Sequence, residues 1–531
     1  MRVPTRVVLS AAVIVAGALA GAVAGPAAEG LGKADEFLRR YSEVLRILID
    51  KAPRPVEADQ VVYSSLDGML ELLDPHSNFL PPAGYAQIRE RQQGSFHGVG
   101  VQISMRGGRV TVITPIEGTP AARMGLRAGD IIDSIDGVST DGMDLDDVAR
   151  RLRGPEGSTV RITILRPGLG RPLEVSLQRA RVPTDSVRYA LLLDPTTAYV
   201  RISDFTRTTG NEVSRALERL TGEGATRLLL DLRDNPGGIV DTAVAVSGFL
   251  LEPGQLVFST KGRTADSFQD YRAARDGLHF PGPVVVLVNR GSASASEIVA
   301  GCIQDHDRGL VIGETSFGKG VVQTIYPLRD SALALTTAKY YTPSGRCIQR
   351  DFDSFFAYVN PDGENNGLPA PAKDAGPVFF TDSGRKVFGG GGITPDVHTA
   401  AGVYSERVAR LLGQAAFFHF AVGYLADKTD KDAIARSFAV TPEIVQQFKD
   451  KVLAQKWLPE AELDAALANA TDRRDIELNL QAEISNAGLS LTDGYRVLLQ
   501  NDNQAQEALR QFPEAAQLYE KARVAVPQDR R

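Results

Sequence analysis

Two rhythms of apolar and polar positions alternate along the 531-residue chain. Between residues 32 and 93 apolar side chains recur every three or four positions, at Phe37, Tyr41, Val44, Leu45 and Leu48 and again at Met69, Leu70, Leu72 and Leu73, which predicts helices. Asp74-Pro75-His76 breaks that pattern, and a histidine after a helix-ending proline reads as a turn residue. From Gly94 the period shortens to two. Val99, Val101 and Ile103 alternate, Arg106-Gly107-Gly108 turns, and Val110 and Val112 alternate again, which predicts a hairpin. TPAARMGL then predicts a short helix, DIIDSIDG a strand, DLDDVARRLRG a helix and STVRITILRP a strand, and the unit closes near residue 182.

Beyond residue 183 strands and helices alternate. YVRISDF (199 to 205), RLLLDLRDN (227 to 235) and PVVVLVN (283 to 289) read as buried strands. A helix from about 211 to 221 separates the first two, and the loop Pro236-Gly237-Gly238 leads into a second, IVDTAVAVSGFLL. Such alternation implies an α/β core with parallel pairing. The run from 360 to 377, rich in Asn, Gly and Pro, is a loop without evident chemistry. After Val397 the pattern is helical to the end. FPEAAQLYEKARVAVPQ looks like one helix of a tetratricopeptide unit, but one unit cannot bury its own face and no repeat follows, so a packing or assembly region is expected. The chain thus divides at 25–93 (helical), 94–182 (β-rich), 183–400 (α/β) and 401–531 (helical).

Residues 1–24 stand apart. Arg2 and Arg6 precede the uncharged run VVLSAAVIVAGALAGAVA, and Ala22-Val23-Ala24 meets Gly25-Pro26, the arrangement of a secretory signal peptide. A run of that length also just suffices as an uncleaved membrane anchor. Either way the remainder is expected to be exported, in a bacterium to the periplasm or the outer face of the inner membrane. Apolar residues at 43%, charged residues at 23% and a net charge of −6 are ordinary globular values and leave no footprint for nucleic acid. No His/Cys/Glu cluster or phosphate loop appears, so neither metal nor cofactor is expected. Cys302 and Cys347 read as two unpaired thiols, although an exported protein is permitted a disulfide.

The stretch NRGSASASEIVAG, residues 289 to 301, joins the strand PVVVLVN to a helix-compatible run, a place where α/β proteins keep function. Ser294 is the junction residue. Ser294-Ala-Ser-Glu297 is also a capping box, so Ser294 reads equally as a helix cap. A nucleophile needs a base, and no histidine fits: His306 lies at the far end of the same helix, His97 belongs to the β-rich unit, and His279, His398 and His419 have no motif around them. Lys319 in GETSFGKGVVQ remains, flanked by Phe317, Gly318, Gly320, Val321 and Val322, where burial lowers an amine's pKa toward neutrality. A Ser-Lys pair is a known variant of the triad logic. A solvated loop lysine is the plainer alternative. The Ala295 amide at the helix start is a candidate oxyanion donor.

The phrases GVGVQI and GLRAGDIIDSIDG resemble a PDZ domain, which offers a sheet edge and a loop of N–H groups, here Gly98, Val99, Gly100 and Val101, to an extended peptide with a free carboxylate. GSASASEIVAG, GETSFGKGVVQ, LDLRDNPGG, KYYTPSGR and GGGGITPD resemble the carboxyl-terminal processing (tail-specific) serine proteases, over about residues 32 to 400. The resemblance implies a multidomain α/β protein: a crotonase/ClpP-like protease core, a PDZ domain and helical segments at both ends. It implies Ser294 as nucleophile, Lys319 as general base and Gln323 as the residue that orients the lysine. Four residues along a strand span roughly 13 Å, so contact between Lys319 and Gln323 predicts that KGVVQ is a helical turn. The resemblance also points to the loop Asn235–Gly238 for the second oxyanion donor, where Gly237 is favoured, although two glycines also serve simply to make a tight turn. Arg127 matches a position that in some relatives reports bound peptide to the active site, and reads equally as a solvated arginine. The expected partners are protein substrates with free C-termini, with membrane association through the N-terminus and homo-oligomers through the helical ends. The alternative is a catalytically inactive PDZ scaffold that binds protein C-termini.

Overall fold

The computed structural model describes residues 27–167, 169–350, 352 and 376–525. The export signal expected at 1–24 and nearly all of the loop expected between 360 and 377 lie outside them. The chain divides into two units, the smaller comprising residues up to Pro82 together with Ile325–Leu335. It holds helices α1 (Ala27–Lys51) and α2 (Ala58–Leu70) and the strand Asn78–Leu80, which pairs antiparallel with Ala332–Ala334. His76 sits in a turn, its amide and that of Ser77 donating to the Asp74 carboxylate.

The larger unit opens within the helix Pro82–Gln93, which leads into a β-rich module. Strand β1 (Ser95–Gly98) leads through a two-residue loop into β2 (Val101–Arg106) and β3 (Arg109–Pro115), followed by β4 (Ile131–Ile135), helix α3 (Leu145–Leu152), β5 (Thr159–Leu165), β6 (Leu173–Gln178) and β7 (Ala180–Pro183). The predicted hairpin is β2–β3, paired from Val101–Pro115 to Arg106–Arg109. Strand β7 returns to pair with β1 and closes the module. The sheet order β2-β3-β4-β5-β6 leaves β2 at an edge. Helix α3 starts on an Asp144 side chain that accepts the Asp147 amide and buries Val148 and Leu152 against the sheet.

The core sheet is built from β8 (Val187–Asp194), β9 (Thr197–Ile202), β10 (Arg227–Asp231), β11 (Val284–Val288), β12 (Gly309–Gly313) and β13 (Val397–His398), in that order. Every pair from β9 to β13 is parallel, and β8 is antiparallel to β9. The unbroken apolar runs follow from burial on both faces. Val284, Val286 and Val288 point into one cluster with α4 (Thr209–Gly222), α5 (Val240–Gly248) and α6 (Ala295–Asp305). Val285 and Leu287 point into the other with Leu229, Leu310 and Ile312.

That second face is covered from the far end of the chain. After a bundle formed by Glu406–Gly413, Ala416–Leu425, Pro442–Ala454, Glu460–Ala468 and Ala470–Gly488 come α7 (Leu491–Leu499) and α8 (Asn503–Ala525), and Ala505, Ala508, Phe512 and Ala515 of α8 lie on β10, β11 and β12. Each large side chain so covered contributes about 1.5–3 kcal/mol. The C-terminal region, expected to pack or assemble, therefore supplies one of the two layers around the sheet. No single helix among the described residues is long and apolar enough to cross a membrane.

Candidate active site

The nucleophile candidate stands where β11 ends and α6 begins. Asn289, Gly291 and Ser292 make the turn, and Ser294 takes φ 55° and ψ −113°. A non-glycine residue there costs on the order of 1–3 kcal/mol and persists only where its surroundings enforce it. They do so through hydrogen bonds. The Ser292 hydroxyl donates to the Leu232 carbonyl (2.8 Å), and the Ser296 hydroxyl and Ala293 amide donate to the Asn235 carbonyl (2.9 and 3.0 Å). The outer serines of SASAS therefore fasten the junction to the loop after β10. The expected capping box forms, with the Ser294 amide donating to Glu297 Oε2 at 2.8 Å. The Glu297 amide faces the Ser294 side chain in return, while its own hydrogen bond goes to the Ser294 carbonyl (2.9 Å).

Glu297 does more than its capping role. Its side chain is fully buried, and Oε2 also accepts the Lys319 amide at 2.9 Å while Oε1 accepts the Gly318 amide (2.7 Å) and the Ser316 hydroxyl (2.6 Å). Burial raises the carboxyl above the usual range, and those four donors offset only part of that rise. Because the Ser294 and Lys319 amides share one oxygen, their nitrogens lie within about 5.7 Å, the sum of the two bonds. One carboxylate thus fixes both the serine turn and the lysine loop. A glutamate inside the otherwise apolar run EIVAGCI was the sequence signal for it.

Lys319 is half-buried, and its Nζ donates to Gln323 Oε1 at 2.6 Å. The helical turn expected for KGVVQ does not form. Residues 318–320 are irregular, and the strand Val321–Leu328 already contains Gln323. Residues four apart in extended chain share a face, and two long side chains bridge the span between them.

Gly237 faces the serine. A Cβ built on it would fall 2.7 Å from the Ala293 carbonyl oxygen, 2.8 Å from Ser294 Cβ and 2.9 Å from the Ala295 nitrogen, and its φ is 97°. Only glycine fits. Its own amide donates to Asn235 Oδ1 (2.9 Å). Ala295 is the first residue of α6, whose opening N–H groups have no carbonyl within the helix to accept them.

His306 stands at the far end of α6, away from the serine, with Nδ1 2.8 Å from Asp382 and Nε2 2.8 Å from the Leu256 carbonyl. Cys302 and Cys347 are both free thiols. Burial pushes the Cys302 thiol up to about 12, which leaves it inert.

In the β-rich module the Val99 carbonyl accepts the Ala121 amide (2.9 Å), and the Gly100 carbonyl accepts the Ile116 amide (3.0 Å) and the Thr119 hydroxyl (2.9 Å). Across a trans peptide the next N–H points the opposite way. The amides of Gly100 and Val101 are therefore aimed outward, beside the open edge of β2 and downstream of Gly98. Arg127 is exposed and does not join the residues around Ser294. Its amide donates to Asp130 (2.8 Å), and its charge faces Lys431, whose ammonium is pushed down by burial and by Arg127 and Arg166.

Sequence comparison places these motifs. Residues 196–364 match the model of "Peptidase family S41", and 111–166 match "PDZ domain". A "Carboxy-terminal-processing protease" of Bartonella bacilliformis is 38% identical over 317 residues, 59% of this chain and 72% of that protein. A "Carboxyl-terminal-processing protease" of Synechocystis is 36% identical over 56% of this chain and 70% of its own length. For the chloroplastic "C-terminal processing peptidase" of Tetradesmus obliquus the values are 33%, 66% and 82%. With the serine and lysine phrases gathered on one carboxylate and such relatives matched over more than two thirds of their length, this chain belongs to peptidase family S41, the carboxy-terminal-processing serine proteases with a PDZ domain.

Proposed function

We propose that the chain is a serine endopeptidase that captures the free C-terminal tail of exported proteins in its PDZ domain and cleaves upstream by a Ser-Lys acyl-enzyme mechanism. The observation that carries this reading is the shared carboxylate: Glu297 holds the Ser294 turn and the Lys319 loop together, with Lys319 Nζ on Gln323. Gln323 accepts one N–H of the neutral amine, which leaves the lone pair for the Ser294 proton. Ser294 Oγ then bonds to the scissile carbonyl carbon as its proton passes to Lys319 Nζ. The oxyanion meets the Ala295 amide and that of Gly237, which shares its hydrogen between Asn235 Oδ1 and the new charge. Collapse breaks the C–N bond, and the Lys319 ammonium returns the proton to the departing amine. A water, deprotonated by the same amine, hydrolyses the ester and restores the Ser294 hydroxyl.

The tail carboxylate is met by the amides of Gly100 and Val101, and the residues before it add a strand to the β2 edge. The charge-free run after Arg6 supports export to the periplasm or the periplasmic face of the inner membrane, with membrane association where that run is retained. Assembly of several copies through the helical ends belongs to the same reading. The test is cleavage of an internally quenched peptide with an apolar, free C-terminus. Ser294→Ala and Lys319→Ala should each lower kcat by at least about 10³-fold. Activity surviving either change sinks the mechanism, and a Ser294→Ala chain that keeps the cellular phenotype turns the protein into a scaffold.

A further inference from the structure

The loop after β10, which faces Ser294, has one strained residue, Asp234 at φ 58°, and two glycines at φ 97° and 141°, Gly237 and Gly238. Such a loop holds its shape only when both flanks are fixed. Its serine-side flank is fixed by Asn289, whose Oδ1 accepts the Asp234 amide (2.8 Å), and by the bonds to Asn235 described above. Beyond Gly237 the chain is held by Phe205, whose amide donates to the Gly237 carbonyl (2.9 Å) and whose carbonyl accepts the Ile239 amide (2.7 Å). Before Asp234 the loop rests on Arg233, which is held by Asp231 and by residues from the end of the chain.

We infer that Asp502 and Gln504, at the start of α8, are positioning residues for catalysis: they clamp Arg233 and thereby set the oxyanion loop against Ser294. This rests on the peptidase reading above. The Arg233 side chain is 9% exposed, and both edges of its guanidinium are engaged. Nε faces Asp231 Oδ1 (3.0 Å), and Nη2 donates to Asp231 Oδ2 (2.6 Å) and lies 2.8 Å from Asp502 Oδ2. Nη1 donates to Asp502 Oδ1 (3.0 Å) and Gln504 Oε1 (2.8 Å). A planar guanidinium gripped on both edges has one orientation. Its backbone is held as well. Arg201 Nη2 reaches the Arg233 carbonyl (3.4 Å) and Asp234 (3.3 Å), and Arg201 Nη1 donates to the hydroxyl of Tyr495 on α7 (2.6 Å). Asp502 has a second duty, since its Oδ1 also accepts the Ala505 amide (3.0 Å) and so caps α8. Docking of the last helix and orientation of the loop thus pass through one carboxylate, 269 residues along the chain from Arg233.

The dual duty provides a clean test. Asp502→Asn keeps a capping oxygen for Ala505 but removes the charge and one acceptor from Arg233. In the full-length chain, with the quenched free-carboxyl peptide, it should lower kcat between about 10- and 100-fold, the effect of small misplacements at a reacting centre. KM should stay near wild type, since the PDZ edge is untouched, and the melting temperature should fall by only about a few degrees, since the helix cap is kept and one contact of the buried Arg233 is lost. Gln504→Ala should show the same split in smaller degree. Leu518→Ala, which empties a buried position further along the same helix, should lower the melting temperature and leave kcat per folded molecule unchanged. Wild-type kcat in Asp502→Asn overturns the inference, and so does a Leu518→Ala variant that loses as much kcat per folded molecule. A wild-type chain that leaves the peptide whole, or a Ser294→Ala chain that cuts it, overturns the peptidase reading and the positioning role with it, whatever Asp502 does.

Discussion

Lys319 and Gln323 meet side chain to side chain, 2.6 Å from Nζ to Oε1, although the strand carrying Gln323 has already begun at Val321. The amide oxygen accepts a hydrogen bond from the amine without adding charge. Gln323→Glu places a carboxylate at the same distance, which favours the protonated amine. The base is then titrated at higher pH, so the acidic limb of the kcat/KM profile should move to alkaline pH. At any pH on that limb, each unit of displacement lowers activity about tenfold. A limb that stays in place separates Lys319 from the role of base.

Glu297 is the second test. Glu297→Ala leaves two loop amides, the Ser294 amide and the Ser316 hydroxyl without their acceptor in the interior. Each unsatisfied buried donor costs about 1–3 kcal/mol, so the urea midpoint should fall by several kcal/mol equivalent and peptidase activity should vanish. Glu297→Gln keeps the shape but turns a donor toward the amides. It should retain most of the stability and lose most of the activity.

How far these relationships were legible differs from one to the next. The strand PVVVLVN announced itself because burial on both faces removes every polar residue, and Ser294 did so because a strand–helix junction and a capping box are both local patterns. The Lys319–Gln323 contact was legible but its geometry was misread, because a backbone rise of about 3.3 Å per residue takes no account of two long side chains on one face. The reach of Glu297 to Gly318 and Lys319, and of Asp502 to Arg233, leaves no trace in any local period. Nor does the sheet face that α8 covers: an amphipathic helix declares that something lies beneath it and not what.

Gly237→Ala should abolish cleavage with little loss of fold. The new methyl meets the Ala293 carbonyl, Ser294 and the Ala295 amide within 2.9 Å, at a φ of 97° that disfavours any side chain. Labelling by a serine-directed fluorophosphonate should disappear together with peptidase activity, whereas the far-ultraviolet circular dichroism should remain. Retained labelling at the wild-type rate would place the oxyanion elsewhere.

His306 should make stability depend on pH in one direction. Burial disfavours its charge, but Asp382 and the Leu256 carbonyl outweigh that and raise its pKa above the ordinary 6.5. The folded chain therefore binds this proton more tightly than the unfolded chain. The contribution is complete below about pH 6.5 and is lost as pH rises through the folded value. Melting temperatures taken from pH 6 to 9 should fall more steeply for the wild type than for His306→Gln, and parallel curves would remove His306 from the account.

Tail capture by the PDZ domain should need a free carboxylate and the shape of the loop before β2. A Cβ on Gly100 would lie 2.2 to 2.5 Å from Thr119 at φ 77°, so Gly100→Ala must displace the outward amides of Gly100 and Val101. Binding of a fluorescent apolar tail, measured by anisotropy on a Ser294→Ala background, should weaken about tenfold or more in Gly100→Ala and equally when the peptide is amidated. Equal affinity for acid and amide would assign recognition to the side chains alone.

The placement of α8 also sets the order in which the molecule is completed. Five of the six core strands have been made by Gly313, yet Leu229, Val285, Leu287, Leu310 and Ile312 stay uncovered until Phe512 and its neighbours arrive about 200 residues later. Serine, lysine and glycine loop are all in the chain by then, but the sheet beneath them has one bare face. Synthesis proceeds from the N-terminus, so these loops exist for much of the chain's making without a finished floor, and the sheet that carries them is completed only when α8 arrives.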